Sequence, residues 1–85
     1  MKRYFKHEAE SELGAGTVYM EITDGWPSRQ VEVYGHTWRW GDDAHNEWLA
    51  DQPLSVLELG DELAITAVEF ESVWQEAQRQ CPLSS

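Results

Sequence analysis

The sequence predicts an α+β domain, a three- or four-stranded and mainly antiparallel sheet with one C-terminal helix packed on one face. Three observations carry this expectation. "TVYMEIT", Thr17 to Thr23, alternates apolar and polar residues with the period of a half-buried strand. "RQVEVYGHTWRW" reads as two strands folded about a short turn. Phe70, Val73, Trp74, Ala77 and Cys81 then fall at i, i+3, i+4, i+7 and i+11, the single apolar stripe of a helix. A chain of 85 residues suits one domain, residues 1–85, with one modest core and residues 82–85 expected to be disordered.

Taken in order, "RYFKHE" supplies a further strand with Tyr4 and Lys6 on one face and Phe5 and His7 on the other. "ELGAGT" has two glycines but neither a phosphate-binding lysine nor a following helix, so it reads as a turn. In the next strand Val18, Met20 and Ile22 point one way and Tyr19 and Glu21 the other. "DGWPS" turns the chain through Gly25 and Pro27.

A two-residue Gly35–His36 loop, with glycine where a type II′ turn needs it, sets Tyr34 opposite Thr37, Val33 opposite Trp38, Glu32 opposite Arg39 and Val31 opposite Trp40. That register collects Val31, Val33, Trp38 and Trp40 on a core face and pairs Glu32 with Arg39 on the other, and a slip of one residue would break both patterns. The second face is expected to stay open, carrying Tyr19, Glu21, Glu32, Tyr34 and Arg39.

"DQPLSVLELGDELAI" admits a short helical turn capped by Ser55 with Glu58, or a brief strand over Val56–Leu59; the turn is preferred. At the final helix Thr66 can cap, Glu69 can reach back to close a capping box, and Ile65 can staple onto Phe70, while Pro82 stops the helix.

"RQVEVYG", "QPLSVLEL" and "ITAVEFESVWQEA" together resemble a group of small acidic bacterial proteins of the cyanobacterial hypothetical type, over most of the chain from about Tyr4 onward. The resemblance implies one compact α+β domain. No activity attaches to the group, so it implies no functional residue.

Charge narrows the function. Sixteen acidic residues against six basic ones give a formal net charge of -10, which disfavours nucleic acid and anionic membrane surfaces alike. No apolar run is long enough to span a bilayer, and the basic "MKRYFK" start lacks the apolar segment of a secretory signal, so a cytoplasmic location is expected. Cys81 alone can neither form an internal disulfide nor build a thiolate metal site.

The stretch "HTWRWGDDAHNEW" gathers imidazoles and carboxylates at His36, Asp42, Asp43, His45 and Glu47, residue types that suit a first-row divalent ion. It has no His-Glu-x-x-His and no EF-hand pattern, and the serines sit in no nucleophile elbow. The expectation is therefore no enzyme, no cofactor and no metal. It is instead a non-catalytic protein-interaction domain for a basic protein partner. Candidate binding residues are Trp26, Trp48, Tyr34 and Arg39. Trp26 and Trp48 belong to neither the sheet nor the helix pattern: exposed, they would mark a binding surface, and folded back they would cap a small core. The alternative is a small-molecule or carbohydrate binder that stacks a ring on one of them, and a metal-dependent hydrolase stands behind both.

Overall fold

The computed structural model describes residues 1–57 and 59–81. Four strands, β1 (Lys2–Ser11), β2 (Gly14–Thr23), β3 (Trp26–Tyr34) and β4 (Thr37–Asp42), follow one another as an antiparallel meander in the order β1-β2-β3-β4. A 3-10 turn at Asn46–Trp48, the one-turn helix α1 (Leu54–Leu57) and a second 3-10 turn at Asp61–Leu63 lead to α2 (Ala67–Gln80).

The β3–β4 hairpin has the expected register, Tyr34 to Thr37 through Val31 to Trp40, about a loop whose Gly35 takes a φ of 62°, open only to glycine at low cost. Between β2 and β3 the chain departs from expectation. Glu21 pairs with Arg29 and Ile22 with Pro27, so Ser28 is an extra residue without a partner, a β-bulge. Without the bulge, Ile22 opposite Pro27 would continue to Val18 opposite Val31. With it, Tyr19 sits opposite Val31 and Val18 opposite Glu32.

One inserted residue thus reverses the phase of β2 against β3, and each sheet face receives apolar residues from a different strand pair. On one face Val31 and Trp40 form a buried cluster with Phe70, Trp74 and Ala77 of α2, joined by Tyr4, Tyr19, Val33 and Trp38. The Trp40 and Trp74 rings meet edge-on at 5.2 Å. On the other, Phe5, Val18, Met20 and Ile22 are buried against Ala50, Leu54, Leu57, Leu59 and Leu63 from the segment between sheet and α2. The expected open face is therefore covered: Glu21 and Tyr34 are only 2% and 6% exposed, and Tyr19 and Glu21 lie on the Val31 face rather than beside Glu32.

The start of α2 follows its sequence signal, with Thr66 Oγ1 accepting a hydrogen bond from the Glu69 amide at 3.1 Å. Glu69 does not close the box, because its carboxylate answers Lys6 of β1 at 3.3 Å. Cys81, placed in the stripe by spacing, is exposed at the end of the helix, where its carbonyl accepts from Trp40 Nε1 at 2.8 Å. The preferred helical turn is α1, although it begins at Leu54 and so contains Ser55 rather than being capped by it. Glu58, Pro82 and the expected disorder of 82–85 lie outside the described residues.

Candidate functional site

Three of the four candidate binding residues are gathered at one place. The Arg39 guanidinium lies over the Trp48 ring at 4.2 Å and over the Tyr34 ring at 5.6 Å, and it donates to Glu12 at 2.6 Å. The Tyr34 hydroxyl donates to Glu32 at 3.0 Å, and burial together with the Glu32 carboxylate raises its pKa. Gln30 Nε2 donates to the same carboxylate at 2.9 Å, while Gln30 Oε1 accepts from the Ala50 amide at 2.8 Å. The group is a clasp between β3, β4 and the segment that follows β4. Trp48 has folded back, half-buried, over Arg39, whose charge is already answered by Glu12 and Glu32.

Trp26 takes the opposite course. It begins β3 while Tyr34 ends it, so the strand's length separates the two. It is 53% exposed and is the one aromatic residue among the exposed large hydrophobic side chains of the described residues. Two concavities adjoin it and share Trp26, Pro27 and Asp43. One, of about 480 Å³, adds Leu49, Ala50 and Asp51. The other, of about 650 Å³, runs past Ser28, Asp42 and Ala44. Neither Asp43 nor Asp51 has an ion-pair partner among the described residues.

The floor of the larger concavity rests on a network that sequence reasoning missed. Arg29 donates through Nε to Glu21 Oε1 at 2.9 Å and through Nη2 to Glu21 Oε2 at 2.5 Å, and it also grips both oxygens of Glu71 on α2 at 2.8 Å. Its guanidinium stacks over Phe70 at 5.1 Å and Trp74 at 5.0 Å. Burial alone would push the Glu21 carboxyl up. The Arg29 and Ser28 hydrogen bonds, with the Arg29 and Lys2 charges, outweigh it and hold Glu21 below the ordinary carboxylate range. The Glu21 and Glu71 hydrogen bonds in turn raise the pKa of Arg29, which stays charged. Ser28, the bulge residue, donates to the Glu21 carboxylate at 2.8 Å and lies 2.8 Å from the Thr23 hydroxyl. A Pro-Ser pair at the start of a strand is the sequence signal that could have located this bulge.

The His36–Glu47 stretch, with its imidazoles and carboxylates, is divided by the fold. His36 lies in the β3–β4 turn, and Asp42 ends the six-residue β4, about 20 Å of extended chain away. Asp42 Oδ1 accepts from the Ala44 and His45 amides at 3.0 and 2.9 Å, closing the loop on itself. Among the described residues no group of three or more His, Cys, Asp or Glu side chains converges. No helix among them is long and apolar enough to cross a membrane.

The chain matches no family model, no curated protein and no solved structure.

Proposed function

We propose that this chain is a small acidic, non-catalytic protein-interaction domain of the cytoplasm, and that it takes a basic partner on the surface around Trp26. The observation that carries the reading is an indole 53% exposed between two concavities. A side chain of that size left in water by a fold that covers both faces of its sheet is free to be an interface anchor. Asp43 and Asp51 flank it without cationic partners, so a lysine or arginine side chain can set its apolar stem on Pro27, Leu49 and Ala50 and its charge beside the ring and the carboxylates. The net charge of -10 would speed the encounter with such a partner. Tyr34, Arg39 and Trp48 serve this surface from behind, by fixing the segment that carries Leu49 and Ala50. In this reading α2 closes one face of the sheet as a scaffold.

The test is a titration of wild type and Trp26→Ala with an array of lysine- and arginine-rich peptides, with affinity read by calorimetry in both and the Trp26 indole NMR signal followed in wild type. Binding should weaken with added salt, and loss of a central anchor should cost about 2 kcal/mol, roughly thirty-fold in affinity. Equal binding by the two proteins would overturn the assignment. Neutral oligosaccharides belong in the same array, since an exposed indole beside carboxylates can also stack a sugar ring. Their capture in place of the peptides would favour the small-ligand reading.

A further inference from the structure

The geometry points to the outer edge of β1, from Lys6 to Glu10, as a second docking place, where an extended basic peptide adds a strand to the sheet. β1 is terminal in the sheet order, and the protein already uses its edge for one step: Ile65 N–H donates to the Tyr4 carbonyl at 2.9 Å and Phe5 forms an isolated bridge with Ala64. Because successive residues of a strand turn their backbone groups to opposite sides, the outward carbonyl of Tyr4 places the backbone groups of Lys6, Glu8 and Glu10 on the same outer side. Beyond the Phe5–Ala64 bridge no backbone group of the described residues pairs with them. The contact made there is the His7 ring, whose Nδ1 lies 2.9 Å from the Glu8 carbonyl.

Two concavities reach this strand and share Glu8 and Thr17: one, of about 620 Å³, runs from Lys6 and Glu8 to Leu63 and Ile65, and the other, of about 560 Å³, lies over the β1–β2 pair at Glu8, Ala9, Glu10 and Gly16. Charge selects the occupant. Glu8 and Glu10 are exposed and form no ion pair, while the one basic residue of this stretch, Lys6, is answered by Glu69. A second copy of the chain would bring its own charge of -10, and a register centred on Glu8 would set that carboxylate against its twin. A strand with lysine or arginine at alternate positions meets the same carboxylates favourably and takes the open backbone groups as its ladder.

The experiment uses the full chain and a blocked hexapeptide alternating lysine and valine, with amide exchange read residue by residue. Two further peptides carry N-methyl groups on one or the other set of alternate amides. The expected result is slowed exchange of the Glu8 and Glu10 amides on peptide addition, abolished by one N-methylation pattern and spared by the other. Glu8→Gln/Glu10→Gln should weaken binding about fivefold at low salt. Trp26→Ala should leave the β1 protection in place, so this site and the Trp26 surface can fail separately. Three results would overturn the proposal: no protection of β1, equal binding of both methylated peptides, or β1 protection that rises with protein concentration and needs no peptide, which would assign the edge to a second copy.

Discussion

Replacing Arg29 by methionine removes the charge that neutralises Glu21 while leaving an apolar stem over Phe70 and Trp74. Glu21, 2% exposed, would keep the Ser28 hydroxyl at 2.8 Å and the Lys2 ammonium at 3.8 Å, and nothing else of opposite charge. Removing one partner of a buried ion pair costs about 3–5 kcal/mol. Protonating Glu21 instead, from an ordinary glutamate value near 4.3, costs about 3.7 kcal/mol at pH 7, so the cost stays in that range by either route. A domain of this size has a total stability of about 4–13 kcal/mol, so the variant should lie close to the edge of folding. Urea unfolding followed by tryptophan fluorescence measures it. Glu71→Gln is the contrast, because Glu71 is 43% exposed and its bond to the same guanidinium should contribute less than about 1 kcal/mol. In a Glu21→Gln background Arg29→Met should cost far less than alone, and lowering the pH from 7 should stabilise Arg29→Met, since its stranded carboxyl then binds a proton more tightly folded than unfolded. A loss below about 1 kcal/mol at pH 7, or no coupling to Glu21, would refute the view that this pair is buried and mutually dependent.

In the native protein the pH dependence runs the other way. Glu21 and Glu71 are held below the ordinary range, Glu71 chiefly by its hydrogen bonds to Arg29, so their contribution is complete above about pH 4.3 and is lost as the pH falls through their folded values. Urea midpoints at pH 7 and pH 3 should show the drop. Gly16→Ala would drive a methyl group into the Val33 carbonyl oxygen and the Tyr34 ring, costing about 1–3 kcal/mol in a thermal melt. Gln30→Leu would strand the Ala50 amide at a cost of about 1–3 kcal/mol, and exchange at that amide should accelerate before global unfolding does.

The elements with local signals were legible in the sequence. The Gly35 hairpin register and the Thr66 cap each follow from a few neighbouring residues, and an α+β domain with a mainly antiparallel sheet of three or four strands follows from their sum, the structure having four. The relation of β2 to β3 was not, because it depends on one residue whose effect is non-local. Val18, Met20 and Ile22 alternate as cleanly as Val31 and Val33, but alternation states the period of a strand and not its phase against the next. Of the candidate site, the exposure of Trp26 was one of two readings left open, and the return of Trp48 was the other. Composition could not choose between them, since the choice is made by Arg39, which offers Trp48 a cation to cover and offers Trp26 nothing.

The bulge also explains why the molecule needs buried charge. In the regular register Glu21 would sit opposite Ser28, and Arg29 opposite Met20. Inserting Ser28 brings Glu21 and Arg29 directly opposite each other on the face that α2 supplies with Phe70, Trp74 and Glu71. The same insertion sends Val18, Met20 and Ile22 to the other face, where they need a cover, and the leucines between β4 and α2 provide one. That cover in turn is tied down by Gln30, which the bulge has placed opposite Met20. The ion network, the second core and the clasp on Ala50 are thus consequences of one residue, and the segment they fix is the one that carries Leu49, Ala50 and Asp51 to the side of Trp26. A change at Ser28 that relaxed the bulge should therefore be felt at the Trp26 surface as well as in stability, although Ser28 need not touch a partner.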